Sequence, residues 1–192
     1  MDRECIVQDM KDCKQTEDLN VLEHGQMVNK YYMELFSHLT TETQLSLSWR
    51  LPQWLYDYKT LIIKKLLDNK VMEDYQVYHD CGKPYCRTVD DQGKQHFHNH
   101  SQVSSEIAKI LFPNNEVVHR LISMDMDIHT LKPKDIEEFT RRSEAVSLLI
   151  TGLCEIHANA SMFGGIESTC FKIKWKQINR RGKKILSTLN DR

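Results

Sequence analysis

The side chains best able to do chemistry in this 192-residue chain are its nine histidines and the carboxylates beside them. The central motif is Tyr78-His79-Asp80-Cys81-Gly82-Lys83-Pro84, whose spacing places it at the end of a helix. Neighbouring side chains on a helix point in different directions. His79 and Asp80 therefore converge on one metal only at a helix end, or with help from a third element. Phe97-His98-Asn99-His100-Ser101 opens the following helix, and Leu22-Glu23-His24-Gly25-Gln26 opens the first long one. Leu121-Ile122-Ser123-Met124-Asp125-Met126-Asp127-Ile128-His129 closes another, and Glu155-Ile156-His157-Ala158-Asn159-Ala160 ends a long helix before two glycines. Clusters of imidazole and carboxylate at helix termini are what a site assembled inside a helical bundle requires. Mixed His/Asp ligation suits divalent transition metals or magnesium.

The elements that must carry these clusters are mostly helical. Seven Gly and four Pro are few for a many-stranded fold. The apolar set Val21, Leu22, Val28, Tyr31, Tyr32, Leu35, Phe36 and Leu39 predicts a helix over 20–39. Pro52 opens a second over 52–68, and a third covers 71–80. Residues 85–96 alternate around Asp90-Asp91-Gln92-Gly93 and predict a short hairpin. Helices follow over 101–112, over 116–124 with Asn115 as its cap, and over 133–160. From Cys170 to Leu189, Phe171, Ile173 and Trp175 alternate with lysines before a turn near Gly182, which predicts a basic hairpin or a strand followed by a helical turn. Residues 1–18 are polar and are expected to be a loose leader. With no repeat or linker, residues 19–192 are expected to form one domain, with 166–192 as a basic appendage. Met124, Met126 and Met162 are expected to fill the core.

Hydrophobic residues make up 40% of the chain at a mean hydropathy of −0.54, enough for a core. No apolar run approaches the roughly 20 residues of a membrane span, and the N-terminus is too polar for a signal peptide. The expectation is a cytoplasmic protein with no membrane partner and with its six cysteines reduced.

His79-Asp80-Cys81-Gly82-Lys83-Pro84, a hairpin over 85–97, and His98-Asn99-His100 followed by an amphipathic helix resemble the HD superfamily of metal-dependent phosphohydrolases. The nearest flavour is the HD domain associated with CCA-adding tRNA nucleotidyltransferases. The likeness spans roughly residues 20–165, with its specific core over 78–108. It implies a mainly α HD-type bundle with a hairpin after the motif, holding one or two divalent ions (Mg, Mn, Ni, Co, Fe or Zn). By this resemblance His24, His79, Asp80 and His100 would be metal ligands, with Asp80 bridging two ions. Lys83 would face the substrate phosphate, and Asp80 and Lys83 would carry catalysis. Where the family has its next histidine after a short apolar pair, this chain has Asp125 and Asp127, with His129 a further candidate. The family's last aspartate falls on Asn159, a neutral side chain placed among the substrate-binding candidates with Lys83 and His98. The 55 residues between His24 and His79 imply an additional helix.

The resemblance implies hydrolysis of a phosphoester in a nucleotide, a cyclic phosphate or a nucleic-acid end by a metal-activated water. The alternative is an impaired HD module that binds a nucleotide or RNA without cleaving it. No Ser/His/Asp triad, P-loop or dinucleotide fingerprint competes. A rival pattern, Cys81, Cys86, His96 and His100, has zinc-like residue types but the spacing of no common finger. His38, His119 and His157 have the plainer reading of helix histidines meeting a carboxylate or water. Finally, residues 170–192 carry eight basic side chains against Asp191 alone, in a chain of net charge −1. Lys172, Lys174, Lys176, Arg180 and Arg181 are therefore candidates for contact with RNA or DNA.

Overall fold

The computed structural model describes residues 1–16 and 18–192. It is mainly helical, and the helices follow from caps and apolar spacing. Asp2 caps α1 (Arg3–Asp12) by accepting from the Cys5 amide at 2.9 Å. Asn20 and Glu23 cap α2 (Val21–Thr41) reciprocally: each side chain accepts the other's backbone N–H at 2.9 Å. The chain continues through α3 (Trp54–Asp57), α4 (Lys59–Lys65), α5 (Asn69–Tyr78) and α6 (Lys83–Cys86). An antiparallel hairpin follows, β1 (Arg87–Val89) and β2 (Gln95–Phe97), with Thr88 opposite His96. Then come α7 (His100–Leu111), α8 (Glu116–Ser123), α9 (Asp127–Thr130), α10 (Ile136–Phe139), α11 (Ala145–Ala158) and α12 (Thr169–Asn190).

These elements form two compact units, one built from residues 1–27 and 69–126 and the other from 28–68 and 127–192. In the first, α7 and α5 pack against α8, α6 packs against α7, and α1 packs against α6. Its core includes Met72, Tyr75, Ala108, Val118, Leu121 and Ile122, all with essentially no exposure. In the second, the apolar α11 is buried along nearly its whole length and packs against α12, α9 and α4. The first turns of α2 belong to the first unit and the rest to the second.

Five expectations need correction. The leader expected over 1–18 contains α1, whose Ile6 and Met10 are fully buried. This i, i+4 apolar pair faces inward, and Asp9 of the same helix accepts from the Tyr85 hydroxyl at 2.7 Å. The helix expected over 52–68 is divided at Tyr58 into α3 and α4, and that over 133–160 is interrupted between Phe139 and Ala145. The strand expected after Cys170 is the 22-residue helix α12. Its buried residues Phe171, Ile178, Gly182, Ile185 and Leu186 keep a helical period that the first few alternating residues hide. Met126 and Met162, expected in the core, are 36% and 53% exposed. Among the described residues no helix is long and apolar enough to cross a membrane, and all six cysteines are free thiols.

Candidate metal centre

Three segments of the first unit bring His24, His79 and Asp80 together. The Asn20/Glu23 capping box fixes the start of α2, so His24 sits in its first turn, fully buried. Helix α5 stops at Tyr78, and residues 79–82 turn sharply, with the Lys83 amide donating to the Asp80 carbonyl at 2.9 Å. That turn removes the helical divergence between neighbours and lets His79 and Asp80 face one point. Two glycines set the approach of the segments. A Cβ on Gly25 would lie 2.2 Å from the Val77 carbonyl oxygen, and one on Gly82 would lie 2.3 Å from the Ser104 nitrogen. The Gly82 amide donates to the buried Ser104 hydroxyl at 2.9 Å.

The donor atoms are presented in a usable state. His79 Nδ1 donates to the Gln76 carbonyl at 2.7 Å, and His100 Nδ1 donates to the Phe97 carbonyl at 3.1 Å. This turns Nε2 of each ring toward Asp80, the orientation that backbone carbonyls impose on metal-ligating histidines. Asp80 Oδ2 lies 3.2 Å from His79 Nε2 and 3.8 Å from His24 Nε2. The ligand atoms of His24, His79 and Asp80 all lie within 4.8 Å of one another. Both Asp80 separations are below roughly 4.2 Å, the span of two ligands at about 2.1 Å from one ion. Two imidazoles and a carboxylate fit a transition metal better than they fit calcium. The buried His24, His79 and Asp80 group can therefore hold a metal ion.

Electrostatics favour the ionised carboxylate. Burial acts to raise the Asp80 pKa, but Lys83, His79 and His24 outweigh it and hold the carboxyl well below the usual range. Lys83 Nζ is 2.6 Å from Asp80 Oδ2 and 5.3 Å from the centre of the Phe97 ring. Its third partner is Gln15 Oε1 at 2.9 Å, while Gln15 Nε2 donates to the same Asp80 oxygen at 3.4 Å. Gln15 was missed from the sequence because nothing in its spacing marks it. It lies just after α1, beside Lys14, which forms a bridge with Asn20.

The other expected residues divide sharply. His100, with a side chain 20% exposed, faces the second oxygen of Asp80, its Nε2 3.6 Å from Oδ1. Asp80 thus turns one oxygen to His24 and His79 and the other to His100. Asp125 is buried in the same unit but accepts from the Tyr75 hydroxyl at 2.6 Å and stands outside the three-residue group. Asp127 is ion-paired with Arg142 in the second unit, because α9 starts a new element at that point. His129 pairs with Glu155 at 2.7 Å and Asn159 ends α11, both in that second unit. His98 is exposed and stacks on His96 at 5.8 Å, and His96 pairs with Asp90. The rival zinc pattern does not form among the described residues. Cys81 Sγ faces the Ser104 carbonyl and Cys86 Sγ the Lys83 carbonyl, while burial pushes both thiols up.

His157 belongs to the second unit's core. Its Nδ1 donates to the Leu153 carbonyl at 2.7 Å and its Nε2 accepts the Arg50 amide at 3.1 Å. Trp49 and Phe171 flank the ring at 4.6 and 5.2 Å. His38 bonds the Thr43 carbonyl and Tyr56 hydroxyl, and His119 the Phe112 carbonyl. The C-terminal cations lie on a helix rather than along a strand. At about 100° per residue, Lys174 points away from Lys172 and Lys176, so these three form no row. Compared with family models, curated proteins and solved structures, the chain matches none.

Proposed function

We propose that this protein is an HD-type metal-dependent phosphohydrolase acting on a phosphoester of a nucleotide, a cyclic phosphate or a nucleic-acid end. The observation that carries the reading is one carboxylate, Asp80, meeting two buried imidazoles and an ammonium in a few ångströms. His24, His79 and Asp80 would hold a divalent ion, which would supply a bound water acidified toward neutrality. The carbonyls that accept from Nδ1 of His79 and His100 fix both rings with Nε2 turned toward Asp80. Lys83 offers a positive charge to a phosphoryl oxygen beside the ligands, where a dry setting strengthens each contact. Exchange of the Gln15 carboxamide for a phosphoryl group would keep Lys83 hydrogen-bonded throughout.

The test is a hydrolysis screen over nucleoside mono-, di- and triphosphates, cyclic nucleotides and phosphorylated RNA ends, with several divalent ions, for wild type and Asp80→Ala. Metal-dependent turnover in the wild type and none in Asp80→Ala supports the proposal. Turnover that survives the substitution refutes it. A second reading, a nucleotide-holding module without turnover, is favoured by the 2.6 Å pair between Lys83 and Asp80, which already neutralises the carboxylate. Saturable nucleotide binding without product would support that reading.

A further inference from the structure

Helix α12 carries Lys172, Lys174, Lys176, Arg180, Arg181, Lys183 and Lys184, and the fold divides these cations into two groups. Three are engaged locally. Lys172 pairs with Glu167 at 2.8 Å, Lys174 lies over the Phe163 ring at 5.3 Å, and Arg181 Nε donates to the Leu131 carbonyl at 3.0 Å. Lys176, Arg180, Lys183 and Lys184 are exposed and have no carboxylate within ion-pair distance among the described residues. At about 100° per residue these four fall within an arc of about 100°, opposite the buried arc of Phe171, Ile178, Gly182, Ile185 and Leu186. The buried face is anchored: Gly182 lies against the Trp54 indole, Ile185 and Leu186 are fully buried, and α12 packs on α11, α10 and α3. The cations therefore stand on a fixed ridge, not on a fraying tail.

We infer that this ridge is a docking surface for the phosphate backbone of duplex DNA, read without base specificity. The first and last of the four charges are eight residues apart, about 12 Å at 1.5 Å per residue. One DNA strand presents a phosphate about every 3.4 Å of axis, so the ridge covers three to four of them. A convex helix suits the roughly 12 Å major groove of B-form DNA and not the deep, narrow one of A-form RNA. Single strands are disfavoured because the ridge has no aromatic stacking platform. The nearest indole, Trp175, donates to the Arg50 carbonyl and lies under the Arg50 guanidinium at 5.0 Å. Base readout is disfavoured because the two amides beside the cations, Gln177 and Asn179, fall on either side of their arc at about 100° per residue, and Ile173, 53% exposed, offers only apolar contact.

This inference is independent of the metal centre, and its test needs no turnover. Fluorescence anisotropy of the full chain would be measured with a 20-base-pair DNA duplex, the equivalent RNA duplex and a single strand, from 50 to 200 mM salt. Four phosphate contacts give a log–log salt slope of about −3.6, a loss of affinity of about 150-fold over that range. The variant with Lys176, Arg180, Lys183 and Lys184 all changed to Gln should bring the slope near zero and retain the wild-type thermal transition, since all four side chains face solvent. Lys172→Gln, which loses a charge already paired, should leave the slope unchanged. No duplex binding at 50 mM salt, or an unaltered slope in the fourfold variant, overturns the inference. So does tighter binding to RNA, to single strands or to polyglutamate in place of DNA. Loss of the folded transition in the fourfold variant would be checked with the four single substitutions, each expected to remove about 0.9 from the slope.

Discussion

Replacing His157 with glutamine should remove a pH dependence of stability that the wild type carries between about pH 6.5 and pH 4. The imidazole is 1% exposed, and burial pushes its pKa from 6.5 down to about 4. The Arg50 amide adds to the difficulty of charging it, because that N–H points at Nε2, where the second ring proton would have to go. Above pH 6.5 the ring is neutral whether the chain is folded or not, and the full stabilisation is present. As the pH falls from 6.5 to 4, the unfolded chain takes up a proton that the folded one refuses. Stability then drops by about 1.4 kcal/mol per pH unit. Below pH 4 both forms are charged and the loss levels at about 3 kcal/mol. Glutamine can donate to the Leu153 carbonyl and accept from Arg50 without titrating. Urea unfolding of both proteins at pH 7, 6, 5 and 4 would measure the difference in stability, which should shift against the wild type by about 3 kcal/mol from neutral to acid. A difference that stays constant across that range, or a folded-state NMR titration of His157 centred near 6.5, would refute the reasoning.

Lys83→Met should destabilise the metal-free protein by about 3–5 kcal/mol, because it strands a carboxylate that is 3% exposed. Added Mn²⁺ should restore more stability to this variant than to the wild type in a thermal-shift titration; equal shifts would deny that ammonium and metal share Asp80. Gly82→Ala should cost about 1–3 kcal/mol or more, since its φ of −82° is permitted for alanine and the whole penalty is the 2.3 Å clash with Ser104. Calorimetry would register it, and a neutral result would mean that α7 can yield. Met10→Ala should cost about 2–5 kcal/mol in urea unfolding, whereas a loose leader would give no change.

Helices whose signals are local were legible. Asn115 three residues before Val118, followed by Leu121 and Ile122, marks α8, and its side chain does accept the Val118 amide. The hairpin was equally plain, because Asp90 and Gly93 supply a turn between two alternating stretches. Helix α12 was hidden because Phe171, Ile173 and Trp175 mimic a two-residue period, and only Ile178, Ile185 and Leu186 further on disclose the longer one. Of the candidate site, the part carried by the motif was legible: His79, Asp80 and Lys83 meet, with His24 from α2 and His100 near the second carboxylate oxygen. The remainder depended on chain path. Asp125 and Asp127 are two residues apart in sequence, yet one is held by Tyr75 and the other by Arg142. No local spacing could separate their fates, and none marked Gln15 as a partner of Lys83.

The contacts at Gly25 and Gly82 bear on which cations the centre can tolerate. His24 is next in the chain to a glycine that touches the Val77 backbone, and Asp80 is two residues from one that touches the Ser104 backbone. Main chain abuts main chain at both places, so the gap between donor groups works as a fixed gauge. Side-chain rotation can adjust the donor atoms, but the backbones that carry them are held close at both glycines. Exchanging a donor at position 24 or 80 would alter how strongly an ion is gripped, whereas thickening either glycine would alter which radius is admitted. For an ion held by His24, His79 and Asp80, size discrimination would thus come from two missing methyl groups, and affinity from the side chains.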